Sequence, residues 1–295
     1  MPLMKFLSLW VALLALTFFR ASAQIAVDLD LVQDQILPSE SLLVAVRITN
    51  RSGQPLHLGV DNSWLTFRVE SMDGAFVPKT AEPDVQGEFV VGSSEMATKH
   101  LDLAPYFKLT HQGNYRVTAT VHIKDWNDEV ASPPQPFDVI DGAKLWSQVF
   151  GMPVPAGAAN PVPEVRKYTL EEANYLRSQL MMYVLVSDES GSHIFKVRSI
   201  GPMVSFSQPE AQLDRLSNLH VLYQGGARTF TYSIINPDGN FVRQETFDYY
   251  TTRPRLHTDD NGKITVLGGE RRVKPENGTA IKSPLDPVAS APRKP

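Results

Sequence analysis

The side chains of this sequence that are best suited to chemistry are carboxylates in its C-terminal half. Glycoside hydrolysis needs two carboxyl groups on one cleft, roughly 5 to 10 Å apart. A carbohydrate-active enzyme is therefore one alternative, and it predicts that two of these carboxylates face each other across a pocket. The carboxylates available for such a pair are Asp238, Glu245, Asp248, Asp259 and Asp260.

Other catalytic and metal-binding patterns do not occur in the sequence. The 7 histidines are scattered and lack the His-x-x-x-His or His-x-x-Glu-His spacing of zinc sites. There is no Gly-x-Ser-x-Gly elbow and no glycine-rich phosphate loop. The chain has no cysteine, which excludes disulfides, thiolate metal sites and cysteine nucleophiles. We therefore expect no metal site, no cofactor and no enzymatic activity.

Aromatic and arginine side chains form the more promising candidate site, for ligand binding. Aromatic faces and guanidinium groups dominate protein and sugar recognition. The alternative is structural: Tyr249 lies in the core, Tyr250 is half-exposed, and the arginines keep an edge strand soluble. The candidate ligand-binding residues are Tyr223, Gln224, Arg228, Tyr250, Arg253 and Arg255.

These candidates lie in a stretch, residues 216–269, that predicts an antiparallel meander. Phe230, Tyr232 and Ile234 alternate with polar residues, which is typical of a half-buried strand. The run 236–240, Asn-Pro-Asp-Gly-Asn, predicts a hairpin turn. It loosely resembles the Asp-box turn of sialidase-like propellers, and that resemblance implies a structural role for the turn. A weak repeat of Val-Leu strands at the spacing of propeller blades leaves two alternatives, a blade-like sheet or an ordinary meander.

Two further segments of the C-terminal half bear on its fold. Residues 181–187 place Tyr183 and Leu185 opposite Met182, Val184 and Val186, which predicts a strand buried on both faces. The run 169–172, Thr-Leu-Glu-Glu, has the form of a capping box and predicts either a short helix or a strand.

The N-terminal half predicts one β-sandwich. About seven short strands separated by turn signals, in just over one hundred residues, are typical of an immunoglobulin-like fold. The predicted strands are Ile25–Leu31, Ser41–Asn50, Leu56–Val60, Trp64–Glu70, Met96–Leu103, Asn114–Ile123 and Val130–Ile140.

Two motifs resemble those of exported bacterial Ig-like domains, including BsuPI-like and fibronectin type III-like modules. The segment LTHQGNYRVTATV resembles a tyrosine corner, in which the hydroxyl of Tyr115 bonds to backbone upstream. The segment VRITNRSGQPLHL resembles the strand and turn of BsuPI-like modules. The resemblance covers residues 40–123 and implies a fold but no catalytic residue. It leaves a proteinase-inhibitor-like module as a further alternative, with residues 79–94 as the inhibitory loop.

The N-terminus has the form of an export signal. Lys5 precedes an apolar run from Phe6 to Phe19, and the run 21–23, Ala-Ser-Ala, suits a signal peptidase. We expect a periplasmic, cell-surface or secreted protein, in contact with the membrane only if this segment stays uncleaved. The predicted organisation is a signal peptide (1–23), an Ig-like sandwich (24–142), a Pro/Gly-rich linker (143–163), a β-meander domain (164–273) and a disordered tail (274–295).

Composition narrows the function classes. With 42% hydrophobic and 20% charged residues, the 295-residue chain has ample core. Its net charge of −4 weighs against nucleic-acid binding, which needs a basic surface. An exported chain of this size without disulfides favours a bacterial envelope protein. We predict an all-β, non-catalytic binding or scaffolding protein of that envelope, whose partner is an unidentified envelope protein or glycan.

Overall fold

A computed structural model of the chain describes residues 24–153, 164–175 and 179–272. These residues form an all-β structure, as the sequence predicted. No helix among them is long and apolar enough to cross a membrane. The predicted signal peptide, the predicted tail and the Pro-rich part of the predicted linker lie outside the described residues.

The N-terminal region, residues 24–139, consists of three sheets with the strand orders β1-β3-β7, β2-β10-β8-β5 (with β9 paired to β8) and β4-β6. All its strand pairs are antiparallel except the pair of β2 and β10. Its strands are β1 (Ile25–Leu31), β2 (Gln35–Ile36), β3 (Leu43–Asn50), β4 (Leu56–Leu58), β5 (Leu65–Ser71), β6 (Phe89–Val91), β7 (Met96–Asp102), β8 (Gly113–Ile123), β9 (Asp128–Ala131) and β10 (Gln135–Val139), with 3₁₀ helices at Ala104–Tyr106 and Lys124–Trp126.

One apolar core joins the sheets of this region. Strand β5 alternates as predicted, with Leu65, Phe67 and Val69 buried in the core. The hydroxyl of Tyr115 donates a hydrogen bond to the backbone oxygen of His111 at 2.8 Å, which is the contact that the tyrosine-corner motif predicted. This bond fixes the turn that precedes β8, the strand at the centre of the larger sheet.

The C-terminal region, residues 143–272, adds two antiparallel meanders and a hairpin. The meanders have the strand orders β11-β12-β13-β14 and β15-β16-β17-β18-β21, and β19 pairs with β20. The strands described are β11 (Ala143–Gly151), β12 (Val165–Tyr175), β13 (Gln179–Asp188), β14 (Ile194–Pro202), β15 (Glu210–Leu213), β16 (Leu219–Gly226), β17 (Thr229–Ile235), β18 (Phe241–Asp248), β19 (Arg255–Thr258), β20 (Ile264–Leu267) and β21 (Glu270–Arg271).

The first meander is a middle layer. On one face, Val184 of β13 shares a core with Val221 of the second meander. On the other face, Tyr183 packs in a separate cluster with Leu37 of the N-terminal region. Strand β13 is therefore buried on both faces, as its sequence predicted. The hairpin of β19 and β20 covers the outer face of the second meander through Leu256 and Ile264.

Two predictions about local structure were wrong, and one open alternative is decided. Ala143–Gly151 belongs to strand β11 and not to the linker, because Phe150 stacks on Tyr168 of β12 at 4.3 Å between ring centroids. The run 169–172 lies within strand β12 and forms no helix, because it pairs with strands on both sides. The predicted strand Val130–Ile140 is divided into β9 and β10, since the two prolines at 133 and 134 cannot donate to a ladder.

Candidate functional site

A cleft of about 560 Å³ lies between the outer face of the second meander and the hairpin of β19 and β20. Strands β16, β17 and β18 form its floor, and the β19–β20 turn forms one wall. The alternation predicted for β17 places Tyr232 and Ile234 on this outer face, where Phe247 of β18 joins them. Opposite them, Ile264 and Val266 supply the apolar wall of the hairpin.

A buried polar chain runs along the floor of the cleft. His220 is 5% exposed, and its Nδ1 lies 2.6 Å from the hydroxyl of Tyr232. Its Nε2 lies 3.3 Å from Oδ2 of Asp214, whose carboxylate also accepts hydrogen bonds from Asn218 and Leu216. An ionised Asp214 needs a donor, so Nε2 of His220 carries the proton, and Nδ1 then accepts from the Tyr232 hydroxyl.

The pKa directions agree with this proton arrangement. Burial lowers the pKa of His220 and outweighs the opposite effect of Asp214. Burial raises the pKa of Tyr232 to about 12. For Asp214, burial raises the pKa, but the hydrogen bonds from Asn218, His220 and Leu216 outweigh it and the net pKa is lowered. At neutral pH the imidazole of His220 is therefore neutral and is held between the protonated phenol of Tyr232 and the carboxylate of Asp214. These hydrogen bonds fix the positions of the three side chains.

Glu245 is the acid directly across the strand pair from Tyr232. Its Oε1 accepts from Arg243 at 2.5 Å and from Arg271 at 2.7 Å. Burial alone would raise its pKa, but the two guanidinium groups lower it overall. Glu245 is therefore an ionised carboxylate paired with two guanidinium groups. It is not suited to donate or accept a proton near neutral pH.

Two cations at the rim of the cleft are uncommitted. Within the described part of the chain, neither Arg215 nor Lys263 has an ion-pair partner. The backbone N–H of Lys263 donates to Asp259, which also accepts from Asn261 and thereby closes the β19–β20 turn. Gly262 has φ +78° in that turn, and a Cβ there would lie 3.0 Å from Nε of Arg215. The glycine thus permits both the turn and the approach of Arg215.

The predicted carboxylates do not converge in this cleft. Of the five, Glu245 alone lines it. Asp238 lies in the turn between β17 and β18 and pairs with Arg166 of the first meander at 3.0 Å. Asp248 pairs with Arg272, and Asp259 caps its own turn, while Asp260 is exposed beside it.

The six predicted ligand-binding residues are also divided by the fold. Tyr223 was wrongly assigned to a surface: its side chain is 1% exposed, because β16 buries this face against the first meander, and its hydroxyl donates to the Ile200 carbonyl at 2.5 Å. Gln224 donates its amide to the carbonyls of Gly226 and Ala227, which fixes the β16–β17 turn.

The other four candidates lie at the surface of the second meander and its hairpin. The carbonyl of Arg228 accepts the N–H of Tyr249 at 2.8 Å, which brings the β16–β17 turn beside exposed Tyr250. The guanidinium of Arg253 covers the ring of Phe230 at 5.3 Å, a cation–π contact that favours the structural alternative for this arginine. Arg255 is exposed on β19. None of the four lines the cleft.

The segment proposed as an inhibitory loop, residues 79–94, is held against the N-terminal core. Val85 is fully buried; its N–H donates to the side chain of Asn62, and its carbonyl accepts from Nε1 of Trp64 at 2.9 Å. Its last part forms β6, which pairs with β4. The segment thus follows the surface of the core over much of its length.

Sequence reasoning missed the residues that shape the cleft. His220 was an isolated histidine without a motif, and Asp214, six residues earlier, belonged to no recognised motif. The available signal was a histidine at an otherwise apolar position of the strand Leu219–Tyr223, because a polar side chain buried there needs partners.

Comparison with known proteins gives no indication of function. No protein-family model matches the chain, and a search of the curated proteins finds no relative. Within the described residues there is also no group of three or more histidines and carboxylates that could hold a metal ion.

Proposed function

We propose that this chain is a non-catalytic binding protein of the bacterial envelope, and that its cleft takes a ligand with an anionic group and an apolar body. The observation that carries the proposal is the pair of uncommitted rim cations, Arg215 and Lys263, above an apolar wall that includes Ile264 and Val266. An anion seated between the two cations would gain charge-assisted hydrogen bonds that the protein itself does not provide.

The charge of the cleft supports the same ligand class. Three cations line it, Arg215, Arg243 and Lys263, against the two acids Asp214 and Glu245. Both acids are already satisfied by internal donors. The cleft is therefore locally cationic on a chain whose net charge is −4, so an anionic ligand is attracted to this place and repelled elsewhere.

The same contacts favour binding over catalysis. Both nitrogens of His220 are engaged, and Glu245 is held by two arginines, so neither is free to act as a general base on a ligand. The carbohydrate-active alternative needs a second free carboxylate beside Glu245, and Asp214 is committed to Asn218 and His220. That alternative remains testable by assaying sugar hydrolysis alongside binding.

The cellular setting of the proposal rests on the sequence. Its support is the signal-like N-terminus and the resemblance of residues 40–123 to exported Ig-like domains, to which the bond from Tyr115 to the His111 carbonyl adds a structural detail. The four-strand meander of β11 to β14 has the strand order of a propeller blade, which supports a blade-like C-terminal part. In that setting the ligand is an anionic envelope glycan or the acidic segment of an envelope protein.

Isothermal titration of the full chain tests the proposal. The panel contains acidic peptides with aromatic residues, uronic-acid oligosaccharides and neutral counterparts of each. We expect binding of an anionic member only, and at least a tenfold weaker affinity after Arg215→Ala or Lys263→Ala, as for loss of a charge-assisted contact of about 1.5–3 kcal/mol. Lys108→Ala is the matched control, because it removes an exposed lysine of the N-terminal region that does not line the cleft. Equal losses in all three variants, or binding of neutral ligands alone, would contradict the proposal.

A further inference from the structure

The contact between the two β regions contains a tight turn, residues 37–40, that follows strand β2. Leu37, at the start of the turn, is fully buried against the middle layer. The N–H of Glu40 donates to the carbonyl of Leu37 at 3.0 Å. In return, Oε2 of Glu40 accepts the N–H of Leu37 at 2.8 Å. The carboxylate therefore holds the residue that contacts the other region.

The surroundings of this turn are apolar. Leu37 forms a buried cluster with Ala173, Tyr183 and Val197, which come from strands β12, β13 and β14. Ile140, just after β10, packs against the same cluster. This cluster is separate from the larger cores and joins Leu37 of the N-terminal region to one face of the middle layer.

Glu40 is buried beside this cluster without a cation. Its side chain is 5% exposed, and among the described residues it forms no ion pair. Its donors are the Leu37 N–H and the side chain of Gln33. Desolvation by burial outweighs these donors and raises the pKa of Glu40 to about 7.

The charged and titratable groups that face Glu40 do not stabilise its ionised form. From the N-terminal region, Asp34 lies beside Tyr175, to which it is hydrogen bonded. From the middle layer, Tyr175 of β12 and Tyr183 of β13 face the carboxyl group, and its negative charge contributes to raising the pKa of both phenols. Ionised Glu40 would therefore face two neutral phenols, one of which is already hydrogen bonded to the carboxylate of Asp34.

We propose that this turn is a pH-sensitive latch between the two β regions, docked while Glu40 is neutral and loosened when Glu40 ionises. Burying an ionised carboxylate in an apolar contact costs free energy, because the charge loses its hydration. The carboxylate is hydrated again when the two surfaces that cover it separate. Movement of the turn away from the middle layer achieves this without unfolding either core.

The direction of the response follows from linkage. The docked state holds Glu40 protonated to higher pH than an ordinary glutamate, whose pKa is 4.5. The stabilisation of the docked state is complete below that ordinary value and is lost as the pH rises through about 7. The latch therefore closes in mildly acidic surroundings and opens in mildly alkaline ones.

A groove beside the turn is the part of the surface that such movement would change. It has a volume of about 420 Å³ and lies between Ser39 and Ser41, which flank Glu40, and Phe195 of β14. Loosening of the latch widens this groove and exposes Phe195, already 41% exposed, together with Val197.

Hydrogen exchange of the full chain between pH 5.5 and 8.5, corrected for the intrinsic rates, tests the latch. We expect exchange of the Leu37 amide to accelerate about tenfold across this range, and the cores to stay protected. Glu40→Gln, which keeps the acceptor but cannot ionise, is expected to abolish the acceleration. Glu95→Gln is the matched control, because Glu95 accepts the N–H three residues earlier in the same way but is exposed.

Two results would overturn the latch. One is a Leu37 amide whose corrected exchange is the same at both ends of the pH range. The other is a pH response that survives Glu40→Gln. Should that variant not fold, the carboxyl carbon of Glu40 is titrated by NMR in the unsubstituted chain. A titration midpoint that coincides with the exchange midpoint supports the latch, and one that differs from it by more than one pH unit contradicts it.

Discussion

At the scale of single residues, His220 holds the floor of the cleft together. Replacing it by Phe leaves the Tyr232 hydroxyl and the Asp214 carboxylate with one partner fewer in a buried place. We expect the free energy of unfolding to fall by about 2–3 kcal/mol, the usual cost of stranded buried polar groups. Urea denaturation measures it, with Tyr250→Phe as an exposed control that changes the free energy by less than about 0.5 kcal/mol.

The same residue gives a pH dependence of stability. The lowered pKa of His220 means that the folded protein binds this proton less readily than the unfolded chain, whose histidine titrates near 6.5. Its contribution is present above that pH and is lost as the pH falls below it. We therefore expect His220→Phe to lose less free energy of unfolding between pH 7 and 5 than the unsubstituted chain, as measured by urea denaturation at each pH. A steeper loss in the variant would contradict this account of His220.

At the scale of elements, the β19–β20 turn positions a rim cation through one glycine. Gly262→Ala introduces a Cβ at φ +78° and 3.0 Å from Nε of Arg215. Gly53→Ala is the matched control, since Gly53 has φ +85° and nothing lies within 4 Å of its Cβ position.

We expect both variants to lose about 1 kcal/mol of stability to the positive φ. Only Gly262→Ala should weaken binding of the anionic ligand, because only there must Arg215 move. Thermal unfolding and titration of the two variants measure the two effects. Unchanged affinity in Gly262→Ala would contradict the claim that this turn positions Arg215 for the ligand.

Local sequence patterns predicted some of these strands and not others. Alternation predicted strand β5 and both buried faces of β13, because a period of two is fixed by the pleat. Local patterns wrongly placed the residues of β11 in a linker, and they left helix and strand open for the run 169–172 of β12. The stacking of Phe150 on Tyr168 and the pairing on both sides of β12 are tertiary contacts that override a local capping pattern.

At the scale of the whole molecule, the first meander packs against the second meander on one face and against the N-terminal region on the other. Val184→Ala removes two methyl groups from a side chain that is fully buried between the two meanders. We expect a loss of about 1.5–3 kcal/mol in the free energy of unfolding. Val242→Ala, at a valine that is 59% exposed, should cost less than about 0.5 kcal/mol in the same denaturation experiment.

The candidate site could not be predicted because it exists only at this scale. Asp214, His220, Tyr232 and Lys263 come from four segments that meet through strand pairing and hairpin packing. Sequence reasoning also placed its candidate residues in this half of the chain. It selected aromatics and arginines in and near turns, whereas the cleft is formed by residues on the outer face of strands β16, β17 and β18 and by the opposite hairpin.

Binding of an anionic ligand in the cleft is tested by a ¹⁵N NMR titration of the full chain with the ligand of the panel that binds most tightly. Binding in the cleft predicts that the amide shifts change at Arg215, Gly262 and Lys263 and on the facing strand at Tyr232. If the changes instead gather at the groove beside Ser39 and Phe195, or at the turn that carries Tyr250, the cleft is not the binding site and the proposed function is wrong.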